Sequence, residues 1–302
     1  MKVGVNEATE LKALAERLEL PFANLLWGYV LEDLMLRVCA SAYREHLWLR
    51  SERPLGEEAY RRGTEPELSF FYRESSRLPA PEKLVPGQML TTELGGQMLR
   101  EIFDKPNKRE VCWEGAAAGE AGAVTLELGA LYRGMRVPVT MRMRTLADAN
   151  QRPETRQIAA AAIEGAKIVC QVYSADNRVS HDLFEIFEKL ELIGDMGAYF
   201  RVYQALKTQP LSGRYLMEEM QALTEKKPQV KKEKRILQLA GYKNYAYMRR
   251  RWEQYVKRQR EEAPPWEEAL ELVLRLAGPL WLSLCRGEVF LDDWMPELGR
   301  YM

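Results

Sequence analysis

The chain is poor in histidine and cysteine. It has two histidines, His46 and His181, and four cysteines, Cys39, Cys112, Cys170 and Cys285, none of them forming a Cys-x-x-Cys pair. That scarcity argues against a zinc site. The cysteines are scattered in apolar surroundings and read as reduced, buried thiols of a cytoplasmic protein. No run approaches the ~18 apolar residues of a membrane helix, so no membrane partner is expected. The first ten residues lack the apolar core of a signal peptide. Net charge is absent too: 44 Lys and Arg balance 44 Asp and Glu. Overall charge therefore does not mark a nucleic-acid binder, and any such role rests on local patches.

What is present is ordinary for a globular protein. The 302 residues are 46% hydrophobic and 29% charged, enough for one large domain or two ordinary ones. The chain opens with a short amphipathic helix over 7–18, stopped by Pro21. A longer helix over 22–43 carries Leu25, Leu26, Tyr29, Val30, Leu34 and Val38 at helical spacing. A strand is expected over 68–73. A proline-rich loop at 77–86 and a helix over 87–103 follow. Three strand-like runs, 109–114, 123–132 and 137–144, are joined by glycine-rich turns and read as antiparallel neighbours. A linker over 147–154 separates the halves, dividing the chain into 1–150 and 151–302. From 155 onward the pattern reads as helices only, closing with an apolar helix over 266–285.

One stretch concentrates chemistry. Residues 163–187 read as two helices joined by a polar turn at Ser174–Asn177. Lys167 lies on the first helix. Arg178, Asp182 and Glu185 lie near the start of the second, where Asp182 and Glu185 share a face. A lysine and two carboxylates in a helix hairpin suit a phosphate and a metal ion, and they also suit a surface ion pair.

Lys167 followed by Arg178-x-x-His181-Asp182-Leu-Phe-Glu185 resembles the Lys/Asp region of the AbiEii-type nucleotidyltransferase toxins, and the chain is read as a divergent member. The resemblance implies an α+β fold: a nucleotidyltransferase-like mixed sheet with flanking helices, then an all-helical C-terminal half. It implies that magnesium, held by acids, assists attack on a nucleotide α-phosphate while Lys167 contacts phosphate and Asp182 supplies an acid. Arg50 and Ser51 fall where the family has a glycine-rich phosphate loop, with Ser51 and Glu52 replacing both glycines. Arg62 and Thr64 match an Arg-x-Thr segment, and Glu65 and Glu67 are the candidate magnesium ligands, displaced by one position around Pro66. Arg142 takes the place of a third acid. An arginine cannot ligate magnesium but binds phosphate well.

The reading that follows is a degenerate family member. It keeps the fold to bind nucleotide, RNA or a partner protein such as a cognate antitoxin, in a bacterial toxin–antitoxin or phage-defence setting. The alternatives are an active magnesium-dependent enzyme transferring a nucleotide to RNA, and an unrelated helical scaffold. The basic, aromatic stretch 241–260 fits either RNA contacts or a helix that buries Tyr247, Trp252 and Tyr255.

Overall fold

The computed structural model describes residues 7–52, 54–63, 66–75, 84–103, 111–146, 151–194, 196–259 and 262–302. They form two compact units, 1–173 and 174–302. The first is built on a mixed seven-stranded sheet with flanking helices, and the second is helical.

In the first unit, α1 (Glu7–Arg17) and α2 (Phe22–Cys39) precede β1 (Leu47–Leu49). A short helix α3 (Glu57–Arg62) leads to β2 (Glu67–Tyr72). Then come α4 (Thr92–Phe103), β3 (Val111–Glu120), β4 (Ala123–Tyr132) and β5 (Met135–Thr145). The sheet is completed by β6 (Pro153–Ala159) and β7 (Lys167–Tyr173). Strand order is β3-β4-β5-β2-β1-β7-β6. β2 runs parallel to β5, β1 runs parallel to β7, and the other neighbours are antiparallel.

Alternation along each strand decides which face is covered. On β2, Leu68, Phe70 and Tyr72 are buried, and Glu67, Ser69 and Phe71 are not fully so. On β5, Val137, Val139, Met141 and Met143 point inward. α2 packs on β5 and β7, and α4 on β3 and β4. Their apolar residues join the inward strand positions in one core. The opposite face carries the polar strand positions. A small apolar cluster of Trp48, Leu146 and Tyr173, with Phe71 beside it, covers part of that face.

Two sequence expectations fail together here. Residues 155–173 are not helical: they hold most of β6, a turn over 160–166, and β7. Lys167 therefore sits on a strand, not on a helix. The run Lys167-Ile-Val-Cys-Gln-Val-Tyr173 alternates inward Ile168, Cys170 and Val172 with outward Lys167 and Val169, a period of two rich in β-branched residues. The alanine-rich approach to it looks helical because alanine favours helix. Its amides are taken instead by Glu32 on α2. Glu32 Oε1 accepts from Ala161 N at 2.7 Å, and Oε2 from Ala162 N at 3.0 Å and Ile163 N at 2.8 Å. Those N–H groups are lost to a helix, and Gly165, at φ +72°, turns the chain back into β7.

The second unit comprises α5 (Ala175–Lys189), α6 (Gly197–Thr208), α7 (Gly213–Lys226), α8 (Lys234–Gly241), α9 (Ala246–Gln259) and α10 (Trp266–Arg286). A two-residue strand pair, β8 (Trp294–Met295) with β9 (Arg300–Tyr301), follows. Ser174 caps α5 by accepting from Asn177 N at 3.2 Å. α10 packs against α6, α7, α8 and α9, and its Trp281 stacks on Phe187 with ring centroids 3.8 Å apart. No described helix is long and apolar enough to cross a membrane.

Candidate functional site

The polar face of the sheet gathers several of the candidate residues. Arg50 N donates to Ser69 O at 2.8 Å, extending the β1–β2 pairing by one residue. Its guanidinium lies over the Phe71 ring, 5.5 Å from the centroid. On the other side of β2, Ser69 is in register with Arg142, and Phe71 with Arg144. Arg142 donates from Nε to Glu67 Oε1 at 2.9 Å. Glu67 also accepts from Ser69 Oγ at 3.4 Å. Arg50, Arg142 and Arg144 thus share this face with two carboxylates, Glu67, which Arg142 holds, and Glu127 on β4, which accepts from Thr140 Oγ1 at 3.4 Å.

That patch does not suit magnesium. The ion needs several oxygen ligands, and the one described acid in the proposed metal position is already neutralised by a guanidinium. No group of three or more His, Cys, Asp or Glu side chains gathers anywhere among the described residues. Thr64 and Glu65 lie outside the described residues. Arg62 closes α3 and is exposed, ahead of Gly63 in a left-handed conformation. Ser51 follows Arg50 where the chain leaves β1.

Lys167 shares this face of the sheet but stands far from Glu67. Gln171, Trp48 and Phe71 are level across β7, β1 and β2. Lys167 is four rungs to one side of that line. Glu67 is four rungs to the other, because β2 runs against β7. Eight rungs at ~3.3 Å each separate them by roughly 25 Å along the strands. The structure therefore does not join Lys167 to Glu67 in one metal-sharing shell. Lys167 instead lines a cleft of about 420 Å³ with Arg44, Glu45, Thr155, Gln171, Cys39 and Cys170. Around it, Thr155 Oγ1 donates to Gln171 Oε1 at 3.1 Å, and Gln171 Nε2 donates to Glu45 Oε2 at 3.3 Å.

Asp182 belongs to the second unit, on α5. It is buried and receives both arms of Arg201 from α6, at 3.0 Å from Nε and 2.6 Å from Nη2. Burial raises its pKa from the ordinary aspartate value, against the lowering effect of Arg201. That geometry ties α5 to α6.

The stretch 241–260 divides the same way. Trp252 and Met248 are buried in the helical core. Tyr255 is half-buried beside Phe200, at 5.7 Å between centroids, but Tyr247 is exposed. Arg251 donates to the carbonyls of Glu191, Ile193 and Gly194, and Arg249 pairs with Glu267.

Sequence reading missed Glu32, Arg201 and Arg144. Only Arg144 had a local signal: Met141-Arg-Met-Arg144 alternates, which puts both arginines on one face of a strand.

No family model and no curated protein matches the chain. Among solved structures, the crystal structure of JHP933 from Helicobacter pylori is similar at 9% identity, covering 87% of this chain and 94% of that one, with a TM-score of 0.43. A likeness that distant carries neither fold nor activity across.

Proposed function

We propose that the chain is a catalytically degenerate, nucleotidyltransferase-like protein of the AbiEii type that binds an anionic ligand, a nucleotide or RNA, on the polar face of its sheet. Its setting would be the cytoplasm of a bacterium, in toxin–antitoxin or phage defence. One observation carries the reading. Arg142 stands where the resemblance implies an acid, and it holds Glu67 at 2.9 Å. A site meant to collect carboxylates around a cation has become one that presents guanidinium groups to an anion. Phe71, beside Arg50, supplies an aromatic face against which a base can stack. Loss of the metal acids removes the charge neutralisation on which phosphoryl transfer depends.

A melting series with each nucleoside triphosphate and a short single-stranded RNA, with and without magnesium, tests this. A ligand at ~100 times its dissociation constant adds about 2.7 kcal/mol. The shift should persist in EDTA, shrink in Arg142→Ala and survive in Lys167→Ala, whose side chain lies in a separate cleft. Magnesium-dependent incorporation of labelled nucleotide into RNA would overturn the reading in favour of an active enzyme. Absence of any shift would move it to a protein partner such as an antitoxin.

A further inference from the structure

The cleft beside Lys167 has a feature that nucleotide or RNA binding does not use. Cys39, the last residue of α2, and Cys170, in the middle of β7, both line it. The two thiols face the same cleft and act on each other electrostatically. The two residues are far apart in sequence and meet only because α2 packs on β7. Cys39 is partly exposed and Cys170 is nearly buried.

The two thiols are not equivalent. The neighbouring Cys170 holds the Cys39 thiol below its usual range, and the Arg44 guanidinium acts in the same direction against burial. The neighbouring Cys39, burial and the charge of Glu52 push Cys170 up, with Arg156 opposing. Glu45 and Lys167 are the other charged groups of the cleft wall. Thiolate, the reactive form, therefore gathers on Cys39, the residue with the greater solvent exposure of the two.

We propose that Cys39 and Cys170 form a peroxide-oxidisable pair, with Cys39 the attacking thiol and Cys170 the resolving one. The Cys39 thiolate attacks one oxygen of hydrogen peroxide. The O–O bond breaks, Cys39 becomes a sulfenic acid, and the leaving hydroxide takes up a proton as water. The Cys170 sulfur then attacks the Cys39 sulfur. The S–O bond breaks, the hydroxyl leaves with the Cys170 proton as a second water, and a disulfide remains. Two thiols lose two electrons and the peroxide gains two. The bond ties the end of α2 to β7 across the cleft that Lys167 lines, and a dithiol reductant reverses it. This pair stands apart from the arginine patch, so it survives or fails independently of the proposed ligand.

The test treats the purified full-length chain with stoichiometric hydrogen peroxide at neutral pH and maps its peptides by mass spectrometry. The expected result is one intramolecular Cys39–Cys170 link, a loss of two of the four titratable thiols, and full recovery with dithiothreitol. In Cys170→Ser, a dimedone adduct should accumulate on Cys39. In Cys39→Ser, none should form on Cys170. The wild-type mapping needs no variant, so a misfolded substitution does not blunt it. Oxidation that falls first on exposed Cys112 or on Cys285, or that leaves residues 39 and 170 unlinked, overturns the proposal.

Discussion

Arg142 and Glu67 meet across the parallel pair β2–β5, Nε to Oε1 at 2.9 Å, with 57% and 38% of their side chains exposed. A pair that exposed contributes at most about 1 kcal/mol to folding, because water and salt screen it. Arg142→Ala should therefore unfold in urea within about 1 kcal/mol of the wild type while its anion-dependent melting shift shrinks. A loss of more than ~2 kcal/mol would make the pair structural and remove the reason for assigning it to ligand binding. Arg142→Asp restores an acid beside Glu67 and should add a magnesium-dependent rise in melting temperature that the wild type lacks.

Glu32 is the residue on which the β6–β7 hairpin hangs. Besides the amides of residues 161–163, its Oε1 accepts from the Tyr60 hydroxyl at 2.8 Å. Glu32→Ala leaves those donors without an acceptor and should cost about 3–5 kcal/mol, whereas Glu32→Gln keeps one acceptor and should cost about 1–3 kcal/mol.

The same residue should shape the pH dependence of stability. Burial raises the Glu32 pKa, outweighing the hydrogen bonds that lower it. Above the ordinary glutamate value of about 4.3, the folded state then binds more protons than the unfolded one. Its contribution is fully present below that value and is lost as pH rises through the raised folded pKa. Denaturation of wild type and Glu32→Gln across this window should show a downward slope that the variant lacks in part. Parallel curves would show that the carboxylate stays ionised throughout. Asp182 shifts in the same direction, so the slope should not vanish in the variant.

Asp182 should behave as a helix clamp. Arg201→Ala strands a buried carboxylate, and about 1–3 kcal/mol should be lost, the partial exposure of Arg201 limiting the figure. Asp182→Asn retains shape and should cost less. Calorimetry orders the two. If Asp182→Asn instead abolishes a nucleotide-transfer activity while leaving the melting temperature unchanged, the clamp is not its role.

Within α9 the arginines should separate by function. Arg251→Ala removes the donor to three backbone carbonyls and should cost about 1–3 kcal/mol. Arg250 is exposed, so Arg250→Ala should leave the melting temperature unchanged. If RNA binds along this helix, Arg250→Ala should weaken it and lower the salt slope by about 1. Fluorescence anisotropy at several salt concentrations reads both.

Much of the architecture was legible from local pattern. The alternation of residues 123–132 and 137–144 marked β4 and β5, and the apolar stripes marked α2 and α10, because side-chain periodicity is written into neighbouring residues. The general form, a mixed sheet with flanking helices followed by a helical half, was what the family resemblance implied, and those runs fitted it. The hairpin of residues 153–173 was not legible. Alanine at 159–162 favours helix locally, and only Glu32, more than a hundred residues earlier, withdraws the amides a helix would use.

The candidate site divided along the same line. The sequence by itself determined which side chains are available: few histidines and cysteines, a lysine at 167, and arginines alternating at 142 and 144. Tertiary structure decided what they meet. Strand order and direction placed Lys167 roughly 25 Å from Glu67, paired Glu67 with Arg142, and brought Cys39 against Cys170. The physical reason is that a side chain's face follows from its neighbours in the chain, whereas pairing register and long-range hydrogen bonds are fixed only when distant elements pack.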